Sequence, residues 1–145
     1  MAILRQSLWE CRLPAILQGK MLSPKKLSIL QPDSGIYLAA RKHATDQHTH
    51  EWKLSHVGTD GSHPWDRILK YSPSMSDGNE NIGMIGGTAS VRDIVILLLV
   101  DAGIPGYGHR YNILDPHWTH AACTGENYKS MYYWWLQEFG ARQKK

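Results

Sequence analysis

Two histidines, His56 and His109, and two acids, Glu80 and Asp101, are the residues of this chain whose types suit one shared chemistry. Neutral imidazole nitrogen is a good ligand for a divalent ion such as zinc. A carboxylate oxygen can complete the shell or act as a base. Three of the four lie in short polar stretches next to glycine. These are Leu54-Ser55-His56-Val57-Gly58-Thr59-Asp60-Gly61-Ser62, Asn79-Glu80-Asn81-Ile82-Gly83 and Gly108-His109-Arg110-Tyr111-Asn112-Ile113-Leu114. The expectation is that His56, Glu80 and His109, with Asp101, meet in one cleft although they lie on separate turns. There is no H-E-x-x-H and no cysteine pair, so spacing by itself defines no compact zinc motif. The same residues also read as structural hydrogen-bonders at glycine turns. A serine or cysteine hydrolase is disfavoured. Ser55 beside His56 is adjacency in sequence, which says nothing about catalytic geometry, and Cys123 lies in an apolar context that raises a thiol pKa.

Several elements must position these residues. Asp33 or Ser34 can cap a helix from about residue 35 to 48, with Ile36, Ala39, Ala40, His43 and Ala44 on one face. His43 on that stripe reads as a packed, hydrogen-bonded histidine rather than a ligand. Ser62 and Pro64 open a second helix, apolar along Trp65, Ile68 and Leu69, ending near Tyr71-Ser72-Pro73. Residues 79–82 read as a short strand bounded by Gly78 and Gly83. Ser90 and Asp93 form the capping pair of a third helix reaching Val100 or Asp101. Its apolar residues run nearly all the way round, so burial on most sides is expected. Asp101 should point inward from the last turn, where helix dipole and desolvation both oppose a carboxylate; it needs a cation, a donor or a proton.

Gly103, Pro105, Gly106 and Gly108 form an irregular loop that delivers His109. Arg110 and Asp115 are expected to pair across it, and Asn81 and Asn112 to tie loop backbone. Residues 118–124 read as a strand that buries Cys123, and Gly125-Glu126-Asn127 as a turn. Residues 128–139 read as a strand apolar on both faces, hence inside a sheet covered on both sides. With helices available as cover, the expected fold class is α/β, a three-layer α/β/α sandwich. A helix over residues 3–11 is a further expectation.

With 145 residues, 42% hydrophobic and 20% charged, the chain has the size and balance of one soluble domain. The net charge of +3 is mostly scattered, clustering only at Lys25-Lys26 and in the tail Arg142, Lys144, Lys145. No nucleic-acid motif accompanies it, so no nucleic-acid partner is expected. The apolar run 94–100 is too short to span a bilayer. No phosphate or dinucleotide loop is present, and no organic cofactor is expected. Cys11 and Cys123 can form one disulfide or stay as two thiols; free thiols are the favoured reading. No secretory signal is visible, so the chain is cytoplasmic unless a leader lies outside it.

Taken together, the three glycine-flanked stretches resemble the CAP family, also called SCP-like or pathogenesis-related-1, from about Ile29 to Gly140. Residues 34–47 look like its first core helix, and the His56 stretch like the bacterial and protist form of its first histidine motif. Asn79-Glu80-Asn81-Ile82 resembles G-E-N-I, with Asn79 in place of Gly, and Gly108 to Leu114 resembles G-H-R-x-N-I-L. The resemblance implies a domain over 29–145, with 1–28 unplaced, and an α/β/α sandwich with a mixed, mainly antiparallel sheet and an open cleft. It implies that His56, Glu80, His109 and an acid after the third helix, for which Asp101 is nearest, line that cleft and bind a divalent ion such as zinc. It further implies secretion, a sterol, lipid-like or protein ligand, and no common catalytic activity. Two alternatives stay open: a metal-dependent hydrolase with Glu80 as general base, and an interaction domain with a vestigial cleft.

Overall fold

The computed structural model describes residues 27–49, 51, 54–87, 89–128 and 132–142. Cys11 and the helix expected at 3–11 lie outside them. The order is β1 (Gln31–Pro32), α1 (Ser34–Thr49), α2 (Pro64–Tyr71), β2 (Met75–Gly86), α3 (Val91–Val100), a 3-10 turn (Pro105–Tyr107), α4 (Gly108–Leu114), β3 (His120–Tyr128) and β4 (Tyr132–Arg142). The sheet runs β1-β3-β4-β2, with β1 parallel to β3 and the other pairs antiparallel.

Alternation along a strand sends successive side chains to opposite faces. On β2, Glu80 meets Arg67 of α2, whereas its neighbours Asn79 and Asn81 meet Asn112 of α4. The helices therefore flank the sheet as two layers, α1 and α2 on one face and α4 on the other, with α3 packed on α4. The expected three-layer architecture is the one found. Under α1, Ala40 and Ala44 meet Ile82, Trp134 and Leu136, and Ile36 and Ala39 meet Ile68 and Met75. On the α4 side Trp118 packs with Phe139 and Ala141, and Leu30 and Ile113 lean against them. β4 lies between β3 and β2, inside the sheet as its two apolar faces require.

The capping expectations hold for α1 and α3; at α2 Pro64 is the first helical residue as expected, but the cap is His63, whose N–H donates to Asp66, and not Ser62. Ile36 donates its N–H to Asp33 Oδ1 at 2.9 Å. The Ser90 hydroxyl accepts from Asp93 N–H at 3.2 Å, and Asp93 accepts from Ser90 N–H at 3.0 Å. The glycine readings need correction. β2 is twelve residues long, and Gly78 and Gly83 lie within it rather than bounding it. Gly125, Glu126 and Asn127 continue β3, in register with Trp135, Trp134 and Tyr133. These glycines mark close approach, not turns: a Cβ would overlap Ile68 at Gly78, the Trp135 ring at Gly83 and Tyr133 at Gly125.

Helix α3 is less buried than its composition suggests. Only Ile94 and Leu98 are buried, while Val95, Ile96, Leu97 and Val100 are exposed. It rests on short α4, so only one i, i+4 pair of its apolar residues finds cover. Cys123 is exposed, not buried. Partial desolvation still pushes its thiol pKa up.

Candidate functional site

His56 sits in the loop between α1 and α2, and that loop is fastened at both ends. From α1, the His43 ring nitrogen Nε2 bonds the Ser55 carbonyl at 2.8 Å, and Gln47 Oε1 accepts from Ser55 N–H at 3.0 Å. Asp46 accepts from Thr59 N–H at 3.0 Å. From α2, the Arg67 guanidinium donates to the His56 carbonyl at 3.2 Å and the Ser62 carbonyl at 2.8 Å. The His56 side chain is half exposed, while its Nδ1 lies 2.8 Å from Oε1 of buried Glu80 on β2. The second Glu80 oxygen accepts from Arg67 Nη2 at 2.9 Å. His43 is, as expected, a packed and hydrogen-bonded histidine. Burial lowers its pKa, with Arg67 adding to that and Glu80 opposing it, so the ring stays neutral.

His109 is built in parallel. It is not delivered by a loop but stands in the first turn of α4. Its Nδ1 lies 2.8 Å from Asp101 Oδ1. Asp101 is the C-cap of α3 in left-handed conformation (φ 50) and is 2% exposed. Its other oxygen accepts from Arg110 N–H at 3.2 Å. The inward carboxylate at a helix C-terminus thus finds two donors. Arg110 does not pair with Asp115, which instead accepts from His117 N–H. Its guanidinium donates to the Leu99 and Val100 carbonyls and stacks over Tyr107. A cation on the last carbonyls of α3 satisfies them and offsets the dipole end that Asp101 must share.

Three asparagines lock the two assemblies together. Asn81 Nδ2 donates to the His109 carbonyl at 3.2 Å. Asn112 Nδ2 donates to Asn81 Oδ1 at 2.8 Å and to the Glu80 carbonyl at 3.2 Å. Asn79, where the family resemblance has Gly, donates to Asn112 Oδ1 at 2.9 Å. The helix bearing His109 is therefore pinned to the strand bearing Glu80. β2 is an edge strand, and the adjacent residues Glu80 and Asn81, which hold the two assemblies, leave its opposite faces.

The four predicted residues thus form two pairs, His56–Glu80 and His109–Asp101. In each, a buried carboxylate fixes Nδ1–H and leaves Nε2 as the available lone pair, the outer arrangement that orients metal-binding imidazoles. That donor chemistry fits a divalent ion. Among the described residues no group of three or more His, Cys, Asp and Glu is arranged to hold a metal.

Sequence reasoning missed Arg67 and Glu138. Arg67 is 6% exposed between the His56 loop and Glu80. Glu138 is fully buried on β4, directly across the ladder from Glu80. Its signal was present: Glu138 shares the parity of Trp134 and Leu136 and must join them on the α1 face.

A profile of the cysteine-rich secretory protein family (CAP) matches residues 5–139. The chain belongs to the CAP family. An outer surface protein of Borrelia burgdorferi superposes with a TM-score of 0.65 at 19% identity, over 89% of this chain and 86% of that one. An extracellular protein containing an SCP domain from Bacillus anthracis strain Ames gives a TM-score of 0.60 at 19% identity, over 88% of this chain and 37% of that one. At such identity these two likenesses show the CAP fold. No curated protein matches the chain. Among the described residues no helix is long and apolar enough to cross a membrane.

Proposed function

We propose that this CAP domain is a non-catalytic binding module whose cleft takes a divalent ion, zinc by preference, on Nε2 of His56 and of His109. The observation that carries this is the pairing of each imidazole Nδ1 with a buried carboxylate 2.8 Å away. Glu80 and Asp101 then orient the rings rather than ligate. This departs from their expected place in the metal shell and from Glu80 as general base: Glu80 is buried, one oxygen accepting from His56 and the other from Arg67. A sterol, lipid-like or protein ligand would lie in the same cleft. Its setting would be extracellular or at a cell surface, as the names of the two structural relatives indicate for those proteins.

Calorimetric zinc titration tests the reading. The double variant His56→Ala/His109→Ala should lose binding. His117→Ala is the control: His117 also faces a carboxylate, Asp77 at 3.1 Å, but through Nε2 and half exposed. It should bind as the parent does. Acidification should weaken binding, since only neutral imidazole ligates. Undiminished binding by the double variant refutes the site.

A further inference from the structure

We infer that Glu138 is a positioning residue for His56, acting through Glu80; the inference rests on reading His56 as a ligand-contacting residue. Glu80 and Glu138 are register partners across the β2–β4 ladder, so their side chains leave the same face side by side. They are 2% and 0% exposed. One guanidinium serves both. Arg67 Nη2 is 2.9 Å from Glu80 Oε2, whereas Arg67 Nε is 3.9 Å from Glu138 Oε1, outside hydrogen-bond range. Among the described residues neither Glu138 oxygen has a nitrogen or hydroxyl donor.

A buried carboxylate without donors is strongly disfavoured, and two carboxylates side by side do not both stay ionised. The cluster is satisfied when Glu138 is the neutral acid and donates its proton to Glu80, which keeps the charge shared with Arg67 and His56. Burial first, and the charge of Glu80 second, push the Glu138 carboxyl well above the usual carboxylate range, and Arg67 offsets part of that. Glu80 is then held from three directions: His56 on one oxygen, Arg67 on the other, and Glu138 from across the ladder. A carboxylate so held cannot rotate, and the ring bonded to it keeps one tautomer and one orientation. The sheet thus extends the His56–Glu80 pair by one residue that lies outside the three glycine-flanked stretches.

Glu138→Gln keeps shape and an amide donor toward Glu80; Glu138→Leu keeps volume and removes the donor. Both are compared with the parent by imidazole nitrogen NMR of His56 and by zinc calorimetry. Glu138→Gln should retain the parental His56 tautomer and hold zinc affinity within about threefold. Glu138→Leu should mix the tautomers and weaken zinc by about tenfold or more, the range for loss of an orienting partner. The inference is overturned if Glu138→Leu keeps both properties, or if Glu138→Gln loses as much as Glu138→Leu. Should Glu138→Leu not fold, carbon NMR of labelled glutamate decides. At neutral pH the parent should show one protonated glutamate carboxyl, absent from Glu138→Gln; its absence from the parent overturns the inference. His56→Ala separates the two claims. If it leaves zinc binding intact, the ligand reading fails, while the His56 tautomer in Glu138→Leu still tests positioning.

Discussion

Asp101 reaches His109 from a left-handed residue: its backbone closes α3 at φ 50 while its carboxylate lies 2.8 Å from His109 Nδ1. A non-glycine residue held there carries strain of about 1 kcal/mol, retained only where the surroundings over-determine it. Asp101→Gly would relieve the backbone and delete the carboxylate; Asp101→Asn would keep the shape and remove the charge. Both should weaken zinc binding, by about ten- to a hundredfold. They should differ in stability, Asp101→Gly losing less than its lost bonds suggest because the strain goes with them. Calorimetry and thermal melting measure the two effects separately. Unchanged zinc affinity in both variants would exclude Asp101 from orienting His109.

Two buried groups set the pH range of stability. Glu138 has a folded pKa raised above its ordinary 4.5. Above that value the unfolded chain gives up the proton and the folded chain retains it, so stability declines as pH rises toward the folded value. His43 has a folded pKa lowered from 6.5. Below 6.5 the unfolded chain takes up a proton that the folded chain refuses, so stability declines as pH falls toward the folded value. Melting temperature should peak between the two effects. Glu138→Gln should flatten the alkaline limb alone, and an alkaline limb as steep as the parent's would count against the assignment.

What the sequence made legible was local. The helix starts at Asp33, Pro64 and Ser90 follow from capping chemistry that acts within three residues. The inward Asp101 is anticipated by the 3.6-residue period, but the helix stops at Val100 and a left-handed cap turns the carboxylate inward instead. What it hid was contact between distant segments. Gly83 resembles a turn glycine until Trp135, paired with it from β4, is seen lying across it. Arg67 resembles a solvated helix residue until the His56 loop folds over it. The α3 run resembled a core helix because composition does not reveal that its support, α4, is only seven residues long.

The neighbours Trp134 and Trp135 of β4 should respond unequally to the same substitution. Trp134 is fully buried against Ala40 and Ala44, whereas Trp135, on the opposite face, is half-buried. Trp134→Asp places an unpaired charge in the core and should lower stability by about 3–5 kcal/mol or prevent folding. Trp135→Asp, with water in reach, should cost less. Denaturant titration gives the order, and equal losses would mean that the two faces are equally closed.

Gly83 provides a case in which strand propensity and packing predict opposite signs. Valine is a better strand residue than glycine, so propensity favours Gly83→Val by a fraction of a kcal/mol. Here the Trp135 ring occupies the space a Cβ would need, and that ring also meets the His109 imidazole edge-on at 6.0 Å between centroids. To admit valine the indole must leave its place, at a cost of about 1–3 kcal/mol, and it loses its contact with the imidazole as it moves. Gly83→Val should therefore lower both the melting temperature and zinc affinity. Gly125→Val displaces Tyr133 instead. It should lower the melting temperature while leaving zinc affinity near that of the parent. Measuring both quantities on both variants separates damage to the sheet from damage to the site. A Gly83→Val protein as stable as the parent would show that the ring moves freely, and that Trp135 does not brace His109.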